Sequence, residues 1–441
     1  MSAEHDGCHW RSPALRPDHL RQPVSAKPGT AMRQHRASIP FILITVFIDV
    51  LGIGLMLPVL PSVVGELAGS PDLQSYWYGA LMVTFGLVQF LCMPLLGALS
   101  DRYGRRPVLL LSIFGLGVSY LVTATTHSLV VLLLSRVVSG ATSASFTVAN
   151  AYVADITTPE NRSKGFGAIG AAFGLGFIVG PMLGGLLTAG GDIRLPFWVA
   201  AGMSLLNWLY GWFVLPESLP QERRRAVSLK RANPFGAFMH LSGLQGVGLL
   251  LLVYTLVLLA QWILQTTWVL YTSFRFHWTP QDNGIALCLV GLVAVLAQGV
   301  FLARLLRHFG EHKLALIGMS SAFCASLGYG FADQGWMLYV LILANALSFT
   351  TSPALQGIIS RAAHETEQGL TQGALNAIAS LTTVIAPLVG TPLLARVAHL
   401  PADDWRMGAT FFASAVLQGL ALMLAYGHFR RQPGALAPTA G

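Results

Sequence analysis

Ionisable side chains are rare inside the apolar stretches of this sequence, so the few that occur there are the first candidates for chemistry. Asp49 lies about ten residues into an apolar run that begins near Ile39, and Arg136 lies inside another such run. A charged side chain at the centre of a bilayer costs about 2.5–3.5 kcal/mol on insertion scales, so it is expected to face a cavity or to be functional. Asp49 and Arg136 are therefore candidates for moving protons or for binding a charged solute.

Each of these two residues also has a purely structural interpretation. Asp49 could pair with backbone groups or with Arg136, and Arg136 could extend its guanidinium to the membrane surface. Several apolar residues on either side of Arg136 make that extension awkward. We therefore predict that Arg136 faces a cavity, where it pairs with a carboxylate or with a solute.

A short charged loop between two apolar stretches is the most specific local pattern. It reads Gly97-Ala-Leu-Ser-Asp-Arg-Tyr-Gly-Arg-Arg106, and Gly104 permits a tight turn. Asp101 can cap the next helix or pair with a basic residue, while Arg105 and Arg106 suit an anionic cytoplasmic surface. A topology anchor would explain this loop, but we favour a charge latch that forms and breaks. The predicted gating residues are Gly97, Asp101, Arg102, Gly104, Arg105, Arg106 and Asp155.

The second half of the chain is poor in charge but holds amides and tryptophans in or near its apolar stretches. Gln261 and Gln265 are four residues apart and so share a helix face, with Trp268 close by. Such side chains would suit a large, partly aromatic, amphiphilic solute, although anchoring at the lipid interface explains any single tryptophan. The predicted cavity residues are Gln261, Gln265, Trp268, Gln298, Asn345 and Gln356.

The elements that must position these residues follow from composition. Of the 441 residues, 54% are hydrophobic and 10% are charged, whereas a soluble domain carries about 25% charged residues. Apolar stretches long enough to cross a bilayer recur in two sets of six, which predicts an all-α membrane protein with twelve transmembrane helices. In order, these predicted spans one to twelve are 39–64, 76–99, 107–125, 128–154, 162–189, 194–215, 243–271, 282–306, 313–332, 335–359, 368–395 and 405–428.

Polar segments at both ends and in the middle divide the chain into domains. Lys and Arg residues between the spans lie mostly on one side, which predicts that both termini are cytoplasmic. The loops after spans two and eight are similar, which indicates two pseudo-symmetric six-helix bundles. The predicted divisions are a disordered cytoplasmic tail over 1–38 (with Met32 an alternative initiator), a first bundle over 39–215, a cytoplasmic linker over 216–242, a second bundle over 243–429 and a tail over 430–441.

Several motifs resemble those of the major facilitator superfamily. The loop from Gly97 to Arg106 is similar to the signature loop of that superfamily, and Leu132-xxx-Arg136-xxx-Gly140 resembles its span-four motif. Asp49-xx-Gly52-x-Gly54-xxx-Pro58-xx-Pro61 in span one resembles the twelve-span drug/proton antiporters. A glycine motif in span five resembles the one typical of proton-coupled antiporters. Its predicted functional members are Gly176, Gly180, Pro181, Gly184 and Gly185.

Within these antiporters the chain is most similar to the tetracycline/proton group, over nearly all of 38–429. The resemblance implies proton coupling through Asp49 and Arg136, and a contact at the span-five glycines that opens and shuts. Close helix packing alone would also explain the glycines. The sequence departs from the group at three aligned positions, where ionisable residues are replaced by Ser119, Ala294 and Ala322.

The sequence thus predicts a proton-coupled efflux antiporter for a small amphiphilic drug-like compound, with a tetracycline-type antibiotic the leading candidate. The alternatives are an uptake or uniport carrier for a metabolite, and a non-transporting membrane receptor or enzyme. A phosphate-binding Gly-x-x-x-x-Gly-Lys-Ser/Thr loop does not occur, so the proton gradient is the expected energy source and no cofactor or metal is expected. The net charge of +8 comes from short basic clusters between spans, which disfavours nucleic acid as a partner. We expect a monomer in the bacterial cytoplasmic (inner) membrane, whose partners are the lipid bilayer, protons and the solute.

Overall fold

The computed structural model describes residues 28–224, 247–362 and 368–431, and all regular structure in these segments is helical. In the first half, spans two, three, five and six are continuous, and spans one and four are each broken once. The helices are Pro28–Met56 and Leu60–Ala68 (span one), Pro71–Tyr103 (two), Arg105–Thr125 (three), Leu129–Ala141 and Ser145–Ile156 (four), Pro159–Leu187 (five) and Leu195–Val214 (six).

In the second half, spans eight and ten change helix type partway. A π-helical turn over Leu296–Phe301 interrupts span eight, and a 3-10 segment over Asn345–Thr350 interrupts span ten. The helices are Gly248–Phe276 (span seven), Pro280–Val295 and the start of Leu302–Phe331 (eight), the rest of Leu302–Phe331 (nine), Gly335–Ala344 and Thr351–Ala362 (ten), Gln368–Ala395 (eleven) and Ala409–Arg430 (twelve).

The prediction of twelve crossings is confirmed. Eleven stretches are long and apolar enough to cross a membrane, and one of them, Pro280–Phe331, has 52 residues. At about 1.5 Å per residue such a stretch would be more than twice the thickness of the hydrocarbon core. Its backbone leaves the helical region at Gly310, where φ is 71° and ψ is 166°. Spans eight and nine therefore meet at Gly310, which raises the number of crossings to twelve.

The apolar span one begins at Ile39, as predicted, but the helix that contains it begins earlier. The sequence predicts a disordered tail through Ser38, but the first helix begins at Pro28. Proline is tolerated in the first turn of a helix, because the N–H that it lacks would have no partner there. Most of the predicted tail and linker, and the C-terminal tail beyond Arg431, lie outside the described residues.

Large apolar side chains cover the outside of the bundle. Phe213 is 76% exposed, Val416 is 69% exposed and Leu206 is 67% exposed. An exposed apolar surface of this kind would be a liability in water, but it is expected where a helix faces lipid. The outer surface of the bundle is therefore suited to a bilayer, and the sites that carry chemistry must be sought inside it.

Among the described residues, the two halves pack together at one end of the bundle and diverge at the other. Span five packs against span eight, and span two packs against span eleven. A Cβ at Gly185 would lie 2.6 Å from the carbonyl oxygen of Pro280, and one at Gly86 would lie 3.4 Å from Val384. At the other end of the same two spans, no atom lies within 4 Å of a Cβ placed at Gly97 or Gly170. The halves are thus closed at the end that the charge bias predicts to be external, and they diverge at the end predicted to be cytoplasmic.

Candidate functional site

Asp49 is buried in the first half, near the middle of span one. Its side chain is 4% exposed, and neither carboxylate oxygen has a hydrogen-bond partner. The hydroxyl of Ser145, which begins the second segment of span four, lies close enough to act on the carboxylate. Span four is unwound just before it, at residues 142–144, where the amide of Gln89 donates a 2.8 Å hydrogen bond to the hydroxyl of Ser143. The fold therefore places an unpaired carboxylate beside a break in a membrane helix, which is a typical location for an ion or solute site.

Arg136 is also buried, at 2% exposure, but it does not pair with Asp49. Its guanidinium donates to the hydroxyl of Ser119 at 2.9 Å, to the hydroxyl of Thr123 at 3.3 Å and to the sulfur of Met56 at 3.1 Å. Because Met56 follows Asp49 by seven residues on one helix, Arg136 lies about 10 Å along span one from the carboxylate. The structural interpretation in which Asp49 pairs with Arg136 does not hold in this conformation.

Tyr120 lies between the two charged groups. Its ring covers Gly52, with ring atoms 3.1 Å from the position of a Cβ there. It is within electrostatic range of both Asp49 and Arg136, and its hydroxyl has no hydrogen-bond partner. Gly52 is therefore required for Tyr120 to pack this close to span one. Sequence reasoning missed Tyr120 and Ser145, because neither is charged.

A cavity in the second half gathers three of the predicted cavity residues. It has a volume of about 250 Å³, close to the lower end of small-molecule sites. Its wall includes Gln298 from the π-helical turn of span eight, and such turns occur frequently at functional sites. The lining residues are Gln261, Gln298, Ser348, Phe349, Ser352, Pro353 and Gln356. The wall is uncharged and offers amides, hydroxyls and one aromatic ring.

The other three predicted cavity residues are placed differently. Asn345 starts the 3-10 segment of span ten, and its side chain accepts a 3.3 Å hydrogen bond from Ser321. Gln265 does not line the cavity. Trp268 is buried in an aromatic cluster, with its ring centroid 5.3 Å from that of Tyr329 and 6.2 Å from that of Phe411. Trp268 is thus a packing residue in this conformation, because it lies about two turns, or about 10 Å, beyond Gln261 along span seven, where the aromatic cluster surrounds it.

Three of the predicted gating residues meet at the open end of the first half. The guanidinium of Arg105 bonds to Asp101 at 2.6 Å and to Asp155 at 3.0 Å. The hydroxyl of Ser218 donates to the same Asp155 oxygen at 3.2 Å. Arg105 therefore ties the loop after span two to the end of span four. The remaining basic residues of the loop point elsewhere, since Arg102 stacks on Tyr103 and Arg106 donates to the carbonyl of Trp212.

Glu217, just beyond span six, contacts the end of this loop, which no pattern in the sequence indicates. Its carboxylate accepts hydrogen bonds from the backbone N–H groups of Arg105, at 2.8 Å, and Arg106, at 3.3 Å. Span three begins there, directly after Gly104, whose φ of 108° requires glycine. Glu217 thus caps the first turn of span three from a distant part of the chain, and its negative charge also suits a helix N-terminus.

Replacing Glu217 with Gln is expected to lower the stability of the folded protein by about 1 kcal/mol, the usual cost of losing a helix cap. The amide keeps one acceptor oxygen but loses the charge that favours a helix start. Thermal unfolding of the purified protein measures the change. Glu222→Gln is the matched control, because Glu222 is exposed in a short 3-10 turn nearby. Equal unfolding temperatures for the two variants would contradict the capping role.

The second half repeats this arrangement with the charges exchanged. Gly310 has nearly the same backbone as Gly104, with ψ of 166° against 161° and φ positive at both. The residue after it is Glu311, which pairs with Arg361 near the end of span ten. In the first half the corresponding residues are Arg105, after Gly104, and Asp155, near the end of span four. The pseudo-symmetry is therefore structural, while the polarity of the ion pair is reversed.

The glycines of span five make two kinds of contact. A Cβ at Gly176 would lie 3.0 Å from the backbone of Phe47, and one at Gly180 would lie 2.7 Å from the Cα of Gly54. Gly184 similarly faces the backbone of Leu55. These three contacts join spans five and one within the first half. By contrast, Gly185 faces Pro280 of span eight, and a Cβ at Gly284 of span eight would lie 2.5 Å from the carbonyl oxygen of Pro181. Among the five predicted members of the motif, only Gly185 and Pro181 make contacts between the halves, so these two occupy positions where a contact could open and shut.

Comparison with known proteins identifies relatives over nearly the whole chain. The family model of the Major Facilitator Superfamily matches residues 42–387. The chain is 39% identical to the class C tetracycline resistance protein of Escherichia coli, over 84% of this chain and 93% of that protein. It is 35% identical to the class D protein of Salmonella ordonez, over 90% of this chain and 98% of that protein. The resemblance to this group, first seen in the motifs, is confirmed.

Solved structures agree with the family assignment. The human organic anion transporter MFSD10 is 27% identical, with a TM-score of 0.63 over 89% of this chain and 99% of that one. A bacterial homolog of the lysosomal transporter Spinster, in an inward-facing conformation, has the same fold, with a TM-score of 0.70 at 15% identity, over 92% of this chain and 98% of that one. These relatives are transporters and not enzymes, so the prediction that this chain is not an enzyme is confirmed. The chain is a multi-pass membrane transporter of the major facilitator superfamily, related to the tetracycline resistance proteins.

Proposed function

We propose that this protein is a proton-coupled exporter of a small amphiphilic compound from the bacterial cytoplasm, with a tetracycline-type antibiotic the leading candidate. The observation that carries the proposal is Asp49, a buried carboxylate without a hydrogen-bond partner, inside a family of transporters. Intramembrane carboxylates of this kind mark proton relays. The substrate follows from the relatives, which are named tetracycline resistance proteins.

The mechanism that fits this geometry is alternating access by rocking of the two halves. The solute enters from the end where the halves diverge, which the charge bias predicts to be cytoplasmic. It binds against the uncharged wall that contains Gln261, Gln298 and Gln356. The halves then close at that end and part at the other, where a proton reaches Asp49 as the solute leaves. The Arg105–Asp155 pair would be remodelled in each cycle.

The proton gradient is sufficient to drive this cycle. One charge that moves inward gains about 2.3 kcal/mol per 100 mV, and one pH unit adds about 1.4 kcal/mol. The sum corresponds to a concentration ratio of up to several hundred, without ATP. Both halves of the pathway belong to one chain, so we propose that the monomer transports, with only lipid, protons and the solute as partners.

Export is tested by expressing the chain in a bacterium that lacks its own efflux pumps. We expect increased resistance to tetracycline or to other amphiphilic drugs, and loss of that resistance when a protonophore collapses the gradient. Everted vesicles should release protons when the drug is added. Increased drug sensitivity, or drug movement that does not depend on the proton gradient, would favour the uptake or uniport alternative. Absence of any flux in proteoliposomes would support a non-transporting receptor.

A further inference from the structure

Arg136 is a buried cation without an anion. Among the residues that the structure describes, no carboxylate pairs with it, and its Nε atom has no hydrogen-bond partner. Its partners are the hydroxyls of Ser119 and Thr123 and the thioether of Met56, all of them neutral. Burying a guanidinium in this way is costly unless a counter-charge arrives at some stage. The retained charge therefore indicates an anion that is not present in this conformation.

The geometry argues against Asp49 as the source of that anion. The two residues are separated by about 10 Å along span one, which corresponds to two helical turns. Both belong to the first half, so a rocking motion of the halves leaves their separation unchanged. The Tyr120 ring also packs between them, over Gly52. A contact between Asp49 and Arg136 would require span one to slide past span four inside a packed bundle.

The other buried arginine shows how such a charge is satisfied when its role is structural. Arg275, at the end of span seven, is 5% exposed and donates a 3.0 Å hydrogen bond to the carbonyl of Gly330 at the end of span nine. It lies 5.8 Å from the ring centroids of both Tyr271 and Phe276, and it is within electrostatic range of Asp404. A carbonyl at a helix C-terminus and two aromatic rings thus contact Arg275, and the Asp404 carboxylate, which is paired with Arg406, lies within electrostatic range. The Nε atom of Arg275, like that of Arg136, nevertheless has no hydrogen-bond partner. Among the described residues, Arg136 donates only to two hydroxyls and a thioether, and to no backbone carbonyl or carboxylate.

The position of Arg136 makes it accessible in the other conformation. Its neighbour Tyr78 belongs to an apolar cluster, and its neighbour Met56 packs against that cluster. The cluster also contains Trp268, Tyr329 and Phe411 of the second half. This cluster closes the end of the bundle predicted to be external. When the halves part there, Arg136 faces the widening space. A lipophilic cation that left by this route would be repelled by the guanidinium, whereas an anionic group would be attracted.

We propose that Arg136 is an anion-binding residue of the export pathway, and that the transported solute carries a delocalised anionic oxygen group such as a carboxylate or an enolate. The proposal rests on the proposed export function and specifies its substrate class. A planar guanidinium can hold such a group through two parallel N–H···O hydrogen bonds. Ser119 offers the guanidinium only a neutral hydroxyl. The positive charge of Arg136 therefore stays available to an anionic group of the solute.

The test is equilibrium binding to the purified full chain in lipid nanodiscs. The probes are tetracycline, which has an acidic enol, and nalidixate with its neutral ethyl ester as a matched pair. Wild type is expected to bind nalidixate about ten- to a hundred-fold more tightly than the ester, the range of one hydrogen-bonded charge pair. Arg136→Gln should remove that preference and weaken tetracycline binding, and Arg136→Lys should retain part of it.

Two further variants separate binding from a structural role. Ser119→Asp places a carboxylate beside the guanidinium, so it should remove the preference for the acid while Arg136 is still present. Arg275→Gln should lower the unfolding temperature but keep the preference. Equal or undetectable binding of acid and ester to wild type would overturn the proposal, and so would an acid preference that survives Arg136→Gln. Failure of the export function is a separate result, since it appears as no drug resistance in cells whatever the nanodiscs bind.

Discussion

Asp49→Asn is expected to abolish proton-driven drug accumulation in everted vesicles. The ratio of drug concentrations inside and outside the vesicles should fall from up to several hundred in wild type to about one. Asparagine has the size of aspartate but cannot take up a proton, so the conformational cycle no longer depends on the gradient. Asp49 is the only carboxylate near the middle of a span among the described residues, so no neighbouring group can replace it. The proton free energy, about 2.3 kcal/mol per 100 mV, is then lost to transport.

Two measurements distinguish loss of coupling from loss of the protein. Downhill drug equilibration should persist in Asp49→Asn vesicles, because the cavity in the second half is unchanged. Glu66→Gln is the matched control, since Glu66 lies at the surface in a 3.4 Å pair with Arg194, a kind of pair that contributes little. It should transport as wild type does. Full gradient-driven accumulation by Asp49→Asn would remove Asp49 from the mechanism.

Gly185→Val is expected to reduce drug export more than tenfold while leaving the protein folded and inserted. A Cβ at this position would already lie 2.6 Å from the Pro280 carbonyl and 2.9 Å from the Cα of Gln281, both in the other half. These are backbone atoms, so they cannot move aside as a flexible side chain would. The valine therefore prevents closure at this end and traps the conformation that is open there.

The trapped state can be detected by labelling. Thr391 is 2% exposed and packs against Gly79 across the same interface. In a background without other cysteines, Thr391→Cys should react with a membrane-impermeant maleimide in the Gly185→Val protein and be protected in its absence. Gly170→Val is the matched control on the same helix, because no atom lies within 4 Å of its Cβ position. Normal export by Gly185→Val, with Thr391→Cys still protected, would show that this contact is not part of the cycle.

The glycines of span five contact two different partners, so their motif should not be treated as one functional unit. Gly176, Gly180 and Gly184 hold spans five and one together inside a single half, so substitutions there should act mainly on stability, through overpacking. Gly185 and Pro181 contact the other half, so substitutions there are expected to act on the equilibrium between two conformations of the halves. The sequence motif contains both sets at helical spacing, and only the rotation of span five assigns each residue to its partner.

The amino-acid sequence by itself determined the helical membrane class, the twelve spans and the family resemblance, and it indicated Asp49 and Arg136 as candidate functional residues. These features depend on local composition and on the high cost of charge in a bilayer, and both can be read along the chain. The sequence also placed Arg105 and Asp155 in one predicted gating group, but the ion pair between them is seen only in the structure.

Only the tertiary structure decided which groups meet. Ser119 and Met56 approach Arg136 from two other spans, Glu217 caps a helix 112 residues away, and Trp268 turns into a core while Gln261 faces a cavity. The sequence also did not indicate that the helix of span one extends back to Pro28, because a proline that ends one helix can equally begin another. Contacts of this kind depend on the rotation and tilt of packed helices, which the hydropathy of each separate span does not specify.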